Sequence, residues 1–297
     1  MKKSVKIIGI IFLLFIAIVG AYAFSVYRSA HSALNEAYIP LETERETGLK
    51  LKKEPFSVLL LGIDRDEGRG AGGRSDTIMV VTVNPGQKST NILSIPRDTR
   101  VEIVGRGTDK INHAYAFGGA QLSIDTVKNF LDIPIDFYAE VDMDGFLTLV
   151  DTVGGVTVEN TSIAFSYDGY SFPLGALTLN SQEALAYTRM RYEDPQGDYG
   201  RQARQRDVVT ALAKSLAIKG ATQYQSIFDT LGTNMKTNMT MSDITSISMN
   251  YTKALNEINQ LQLRGTGQMI GGVSYQVVSQ AELLEAQTIL KNHLELN

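Results

Sequence analysis

The chain has neither cysteine nor tryptophan among its 297 residues. Without cysteine there is no disulfide framework and no thiolate metal site. Basic excess is missing too, since the formal net charge is −4. That balance gives no global electrostatic footprint for nucleic acid, so any bound polyanion must meet a local basic patch. No Gly-x-Ser-x-Gly elbow occurs, and a serine or cysteine triad therefore has little support. Gly68, Gly70, Gly72 and Gly73 form neither a dinucleotide fingerprint nor a Walker loop. They read as a flexible loop and a candidate lid. Internal repeats are absent.

What is present begins with Lys2, Lys3 and Lys6, followed by an apolar run from Ile7 to Val26. About 20 residues at a helical rise span roughly 30 Å, one hydrocarbon core. Basic residues before the run keep the amino terminus in the cytoplasm and send the rest outside. The expectation is a cytoplasmic tip and membrane anchor over 1–27, a single pass. Ala21-Tyr22-Ala23 leaves open a cleaved signal peptide, which would export the same domain. A polar, charged stalk over 28–54 should end at Pro55, with one extracytoplasmic domain over 55–297.

Within that domain, Phe56 to Ile63, Thr77 to Val83 and Asn91 to Ile95 are short apolar runs that suggest buried strands. Phe137 to Val141 alternates as a strand. Helical spacing marks Gln121 to Leu131, Gly145 to Val153, about 199–218 and about 242–260, and Asp144 is the expected cap of the second of these. Short strands near 261–278 and a helix after Ser279 complete an α/β or α+β sandwich.

Chemistry concentrates in a few places. Asp64 ends one apolar run and Asp76 begins the next. If those strands are neighbours, both carboxylates emerge at one sheet edge, where two oxygen ligands suit Mg²⁺. The alternative is that both are turn residues. Arg97 follows Pro96 at the end of a buried strand, where it either pairs with an acid such as Asp98 or faces a ligand. On the helix near 199–218, Val208, Leu212 and Leu216 form an apolar stripe that also contains Arg201 and Gln205. Arg206, Asp207 and Lys214 are expected to point away. Upstream, Asn180 with Glu183 makes a capping box; Arg189 shares a face with Leu185, and Arg191 follows. Inward arginines with few inward acids imply a buried phosphate or pyrophosphate. Internal salt bridges to Glu193, Asp194 or Asp198 are the competing reading, and Asp198 also suits a helix N-cap. Glu140, Asp142, Asp144, Gly145 and Asp151 mimic a calcium loop without its entering helix, and calcium is discounted. His113 is expected to be a buried, hydrogen-bonded residue near Asn112.

The strings LLLGID (59–64), RSDT (74–77), SIPRDT (94–99), KINHAYAFGG (110–119), VDTVGGV (150–156) and ALAYTRMRYEDPQGDYGRQARQ (184–205) resemble successive signatures of the LytR-CpsA-Psr family. The resemblance implies an α/β/α sandwich around a central mixed β-sheet, behind an N-terminal transmembrane helix, with a pocket for a polyprenyl chain. It implies pyrophosphate contacts from Arg74, Arg97, Arg189, Arg191, Arg201 and Gln205, and metal ligation by Asp64 and Asp76. The implied activity is transfer of a polyprenyl-pyrophosphate-linked teichoic acid or capsular polysaccharide to peptidoglycan, with Mg²⁺ or Mn²⁺. Arg97, Asp98 and Arg201 are the candidate catalytic residues, Asp98 as acceptor of a proton. Hydrolysis of the same lipid pyrophosphate, or lipid binding without turnover, are the alternatives. Nucleic acid is not an expected partner.

Overall fold

The computed structural model describes residues 38–39, 51, 53–64, 73–218 and 235–296. The expected anchor, most of the expected stalk and, of the candidate lid, Gly68, Gly70 and Gly72 lie outside the described residues. Among those described, no helix is long and apolar enough to cross a membrane.

The apolar runs near the start of the domain become β1 (Phe56–Asp64), β2 (Arg74–Asn84) and β3 (Ser89–Ser94), an antiparallel meander. Two more strands join them in parallel: β6 (Phe137–Asp142) beside β1, and β12 (Glu257–Gln262) beside β3. With β11 (Met235–Thr237), they form a six-stranded mixed sheet in the order β11-β6-β1-β2-β3-β12. β1, β3, β6 and β12 therefore run in one direction. Their carboxyl ends share one edge, where ligands of open α/β sheets gather. Small two-stranded pairs surround this sheet: β4 (Arg100–Ile103) with β5 (Gly107–Lys110), β7 (Val156–Asn160) with β10 (Gly175–Leu179), β8 (Phe165–Tyr167) with β9 (Tyr170–Phe172), and β13 (Gly265–Ile270) with β14 (Val273–Val278).

Side chains alternate across the strands, so each face of the sheet builds its own core. Leu59, Leu61, Ile63, Ile78 and Val80 bury against helices α1 (His113–Leu131) and α6 (Gln280–His293). Phe56, Val58 and Phe137 bury on the other face with Tyr251, Ile247 and Leu51. Leu51 falls within the span expected to be stalk, and so do Tyr38 and Ile39, which pair with Thr237 of β11. A third core lies among α2 (Met143–Thr152), α3 (Ser181–Arg189), α4 (Asp198–Ile218) and the β7–β10 pair. The α/β/α arrangement around a mixed sheet is thus present, with this extra packed layer against α4.

Several elements differ from the sequence expectation. The helix expected over 242–260 is α5 (Met241–Asn250), followed by a 3₁₀ turn (Thr252–Leu255) that feeds β12. Tertiary contacts override helical spacing here. Tyr251 is buried edge-on against Phe56, at 5.0 Å between ring centres, and donates to the Glu54 carbonyl at 2.7 Å. Thr90 Oγ1 then donates to the Ala254 carbonyl at 2.9 Å, drawing the chain onto β3. The cap of α2 is Asp142 rather than Asp144, its carboxylate accepting from the Gly145 N–H at 3.0 Å. Helix α1 starts at His113, earlier than its spacing suggested, and kinks where Gly118 and Gly119 leave helical geometry. The Asn180–Glu183 capping box forms as expected.

Candidate functional site

At the carboxyl edge of the sheet, Asp64 ends β1 directly opposite Arg74 of β2. The register slips between Gly62 and Ile63, so Thr77 and Ser75 find partners while Asp76 between them has none. A bulge of this kind re-aims a side chain. Asp76 is met by the Arg97 guanidinium, with Nη1 donating to Oδ2 at 2.6 Å. The Asn112 amide reaches its other oxygen at 3.4 Å. Asn112 is 4% exposed, and its own Oδ1 has no hydrogen-bond partner among the described residues. Asp98 lies beside them. Its Oδ1 accepts from Lys110 Nζ at 2.7 Å, and its Oδ2 is 3.9 Å from Arg97 Nε.

The first turn of α4 brings in the opposite wall. Arg201 is 12% exposed at its side chain, and its Nη2 lies 2.7 Å from Asp198 Oδ1. The two are close but lack hydrogen-bond alignment. Both Nε and Nη2 of Arg201 are buried with no hydrogen-bond partner among the described residues. Burial pulls the Arg201 pKa below the ordinary arginine range. Asp198 and Asp76 oppose that, whereas the Arg97 and Arg191 cations add to it. For Arg97, burial also acts downward, but Asp76, Asp198 and Asp98 outweigh it and hold the pKa above the ordinary value. Buried donors without acceptors, crowded by like charge, form a ready receptor for an anion with several oxygens.

Not every expected residue converges equally. Asp64, Asp76, Arg97, Asp98, Arg191 and Arg201 gather at this edge. Arg74 is exposed at the start of β2, and Arg189 is exposed in the last turn of α3. Gln205 is half-buried on α4. Arg191 donates to the Tyr192 hydroxyl at 2.6 Å, with its guanidinium 4.5 Å from the centre of that ring.

The helix-face reading of α4 needs correction, because this helix packs on two sides. Val208, Leu212 and Leu216 do face the third core, and Lys214 is exposed. Arg206, expected to point away, is only 6% exposed and faces the sheet, where Nη1 donates to Ser94 Oγ at 2.8 Å and Gln262 Oε1 at 2.6 Å. Burial lowers its pKa to about 10. Arg204 is 1% exposed, bonded to Asp194 at 2.5 Å and to the Tyr187 and Met190 carbonyls. That part of the cluster is internal salt bridging, the competing reading. The Asp194 carboxylate fits only because Gly200 has no side chain: a Cβ there would lie 1.9 Å from Asp194 Oδ2. Asn112, Lys110 and Gln202 were also missed. Asn112 sits beside His113 in sequence, but nothing in that spacing points to Asp76. His113 itself is half-buried and pairs with Asp109 at 2.8 Å.

As a metal site, the edge offers few ligands. Among the described residues no cluster of three or more His, Asp or Glu could hold an ion. Asp64 and Asp76, on adjacent strands, are the carboxylate pair. Two carboxylates fit Mg²⁺, which keeps several waters and takes phosphate oxygens for the rest of its shell. A polar cleft lined by Ser89, Asn91, Glu257, Asn259, Asn292 and His293 opens at the other end of β3 and β12, away from these charges.

Comparison with known proteins finds relatives that cover most of the chain. The chain is 48% identical over 298 residues to the polyisoprenyl-teichoic acid–peptidoglycan teichoic acid transferase TagU of Enterococcus faecalis, covering 99% of this chain and 98% of that protein. The crystal structure of B. subtilis TagU superposes with a TM-score of 0.67 at 45% identity, covering 82% of this chain and 99% of that one. TagT bound to LIIa-WTA superposes with a TM-score of 0.75 at 33% identity, covering 87% and 100%. The model of the LytR_cpsA_psr family matches residues 22–292, and the chain belongs to that family.

Proposed function

We propose that this chain transfers a polyprenyl-pyrophosphate-linked teichoic acid to peptidoglycan, releasing polyprenyl phosphate. The observation that carries this reading is Arg201, a buried guanidinium with unsatisfied donors set across from the Arg97–Asp76 pair. Relatives named as teichoic acid transferases support the substrate class, and TagT bound to LIIa-WTA is among the similar solved structures.

In this reading Arg97 and Arg201 take the pyrophosphate oxygens, with Arg191, Arg74, Arg189 and Gln205 extending the contact. A muramic acid hydroxyl attacks the sugar-side phosphorus. The new P–O bond forms as the bridging P–O bond breaks, and the electron pair leaves on polyprenyl phosphate. Asp98 accepts the hydroxyl proton. Positioning and charge neutralisation carry such a transfer, because little covalent work falls to the protein. Asp64 and Asp76 would hold Mg²⁺, or Mn²⁺ in its place, and the bound ion supplies further neutralisation at the phosphate oxygens. The apolar run Ile7 to Val26 would keep the catalytic domain outside the cell membrane, near a lipid-linked donor.

Arg97→Ala tests the assignment. Transfer should fall about 100- to 1,000-fold, the usual loss for one charge-stabilising donor. Undiminished transfer by that variant removes Arg97 from the site.

A further inference from the structure

Arg206 has no place in the chemistry above, yet it is a buried cation whose hydrogen-bond partners among the described residues are all neutral. Its guanidinium donates to Ser94 Oγ at 2.8 Å, Gln262 Oε1 at 2.6 Å and Gln260 Oε1 at 3.3 Å. Asp207, next in sequence, accepts instead from Gln260 Nε2 at 2.9 Å. A cation kept only to stabilise the fold would be expected to touch a carboxylate, since burying an unpaired charge is costly. What Arg206 touches leads elsewhere.

A guanidinium only donates, so Gln262 must present its oxygen to Arg206. Its nitrogen then faces Gln202 and its own strand end, and Gln262 Nε2 donates to Gln202 Oε1 and the Leu263 carbonyl, each at 3.0 Å, with the Ser94 carbonyl at 3.4 Å. Gln202 in turn has only its nitrogen left for Asp198, and Nε2 donates to Oδ2 at 2.9 Å. That leaves Asp198 Oδ1 turned to Arg201 at 2.7 Å. A donor-only guanidinium and the acceptor-only Leu263 and Ser94 carbonyls set the Gln262 amide, and the Asp198 carboxylate sets that of Gln202. Gln202 is 5% exposed, so water does not readily replace either link.

We propose that Arg206 is a positioning residue which, through Gln262 and Gln202, holds the Asp198 carboxylate in the orientation that presents Arg201 to the pyrophosphate. The relay leaves α4 at Arg206, passes through Gln262 at the end of β12 and returns to α4 at Gln202, tying the sheet edge to the far wall of the site. It rests on the reading of that edge as a pyrophosphate site and adds the element that sets its geometry.

The test uses Gln262→Glu and Gln202→Met in the full chain in detergent micelles, with geranyl pyrophosphate as the probe. In Gln262→Glu the new carboxylate would pair directly with Arg206, while its second oxygen would face the Leu263 and Ser94 carbonyls that Gln262 Nε2 now serves. Both of its oxygens accept, however, and Gln202 must turn its nitrogen toward that carboxylate and its oxygen toward Asp198. Gln202→Met interrupts the relay without adding charge. The relay predicts about a tenfold loss of geranyl pyrophosphate affinity in each variant, with both variants folded by circular dichroism. A merely structural Arg206 predicts wild-type affinity in Gln262→Glu, and that result overturns the proposal. Wild-type protein that fails to bind geranyl pyrophosphate overturns the pyrophosphate reading itself, and the relay with it.

Discussion

Arg201 shows at a single residue how function is set against stability. Its Nε and Nη2 are buried without hydrogen bonds among the described residues, and Arg97 and Arg191 crowd it with like charge. Unmade hydrogen bonds in a buried site cost about 1–3 kcal/mol each. Arg201→Met should therefore melt at or above the wild-type temperature while losing transfer about 100-fold or more. Thermal denaturation and a transfer assay on the same preparation check both halves. A large drop in melting temperature would mean that the Arg201 contact with Asp198 at 2.7 Å outweighs its unmade hydrogen bonds and serves the fold. Asp64, Asp76 and Arg97 stand out in sequence as charged residues at the ends of apolar runs, and Arg201 as a charge on the apolar stripe of its helix. Arg204 and Arg206 do not, because their partners are carbonyls, a serine and amides distant in sequence, which no spacing on α4 reveals.

Helix α4 is the element on which the account turns. One side packs Val208 and Ala211 into the third core, and another sets Arg206 against the sheet. A helix enclosed on two sides has no single apolar stripe, so turning it at 100° per residue found one buried face and missed the other. The same limit explains α5 and β12, where contacts with Phe56 and β3 end a helix that local spacing would continue. The seat of α4 depends on Gly200. Gly200→Ala puts a Cβ 1.9 Å from Asp194 Oδ2, so Asp194 must leave Arg204, its partner at 2.5 Å. Breaking a buried pair from one side costs about 3–5 kcal/mol. Chemical denaturation of Gly200→Ala should show a loss of that size. A loss within about 0.5 kcal/mol, the range of ordinary surface substitutions, would contradict the packing described.

Across the whole molecule, the C-terminal helix α6 closes the face of the sheet opposite the third core, and His293 fixes its end. The ring lies 2.7 Å from Thr82 Oγ1 and 3.0 Å from Ser89 Oγ, joining α6 to β2 and β3. Burial lowers the His293 pKa below its ordinary value of 6.5, with Ser89 and Glu295 opposing only in part. As pH falls below 6.5, the unfolded chain takes up a proton that the folded ring resists, so the folded state loses stability until the lowered pKa is passed. Above 6.5 this contribution is constant. Denaturation at pH 7 and pH 5 should show a decline that His293→Gln reduces, and an equal decline in both proteins would place its origin elsewhere. At this scale the sequence was most informative. Interleaved apolar runs and helical spacing anticipated a layered α/β domain, and ordered motifs anticipated its family. The strand order could not be read, because β12 joins β3 across more than half the domain and only tertiary contacts bring them together.

The most direct measurement supplies the full chain with a polyprenyl-pyrophosphate-linked teichoic acid precursor and Mg²⁺, with and without peptidoglycan oligomers, and follows both products. The account predicts a phosphodiester-linked teichoic acid–peptidoglycan product and polyprenyl phosphate released in equal amount, both dependent on the acceptor and both suppressed in Arg97→Ala. Release of polyprenyl phosphate at the same rate without peptidoglycan, with no linked product, would contradict it and identify the site as a hydrolase.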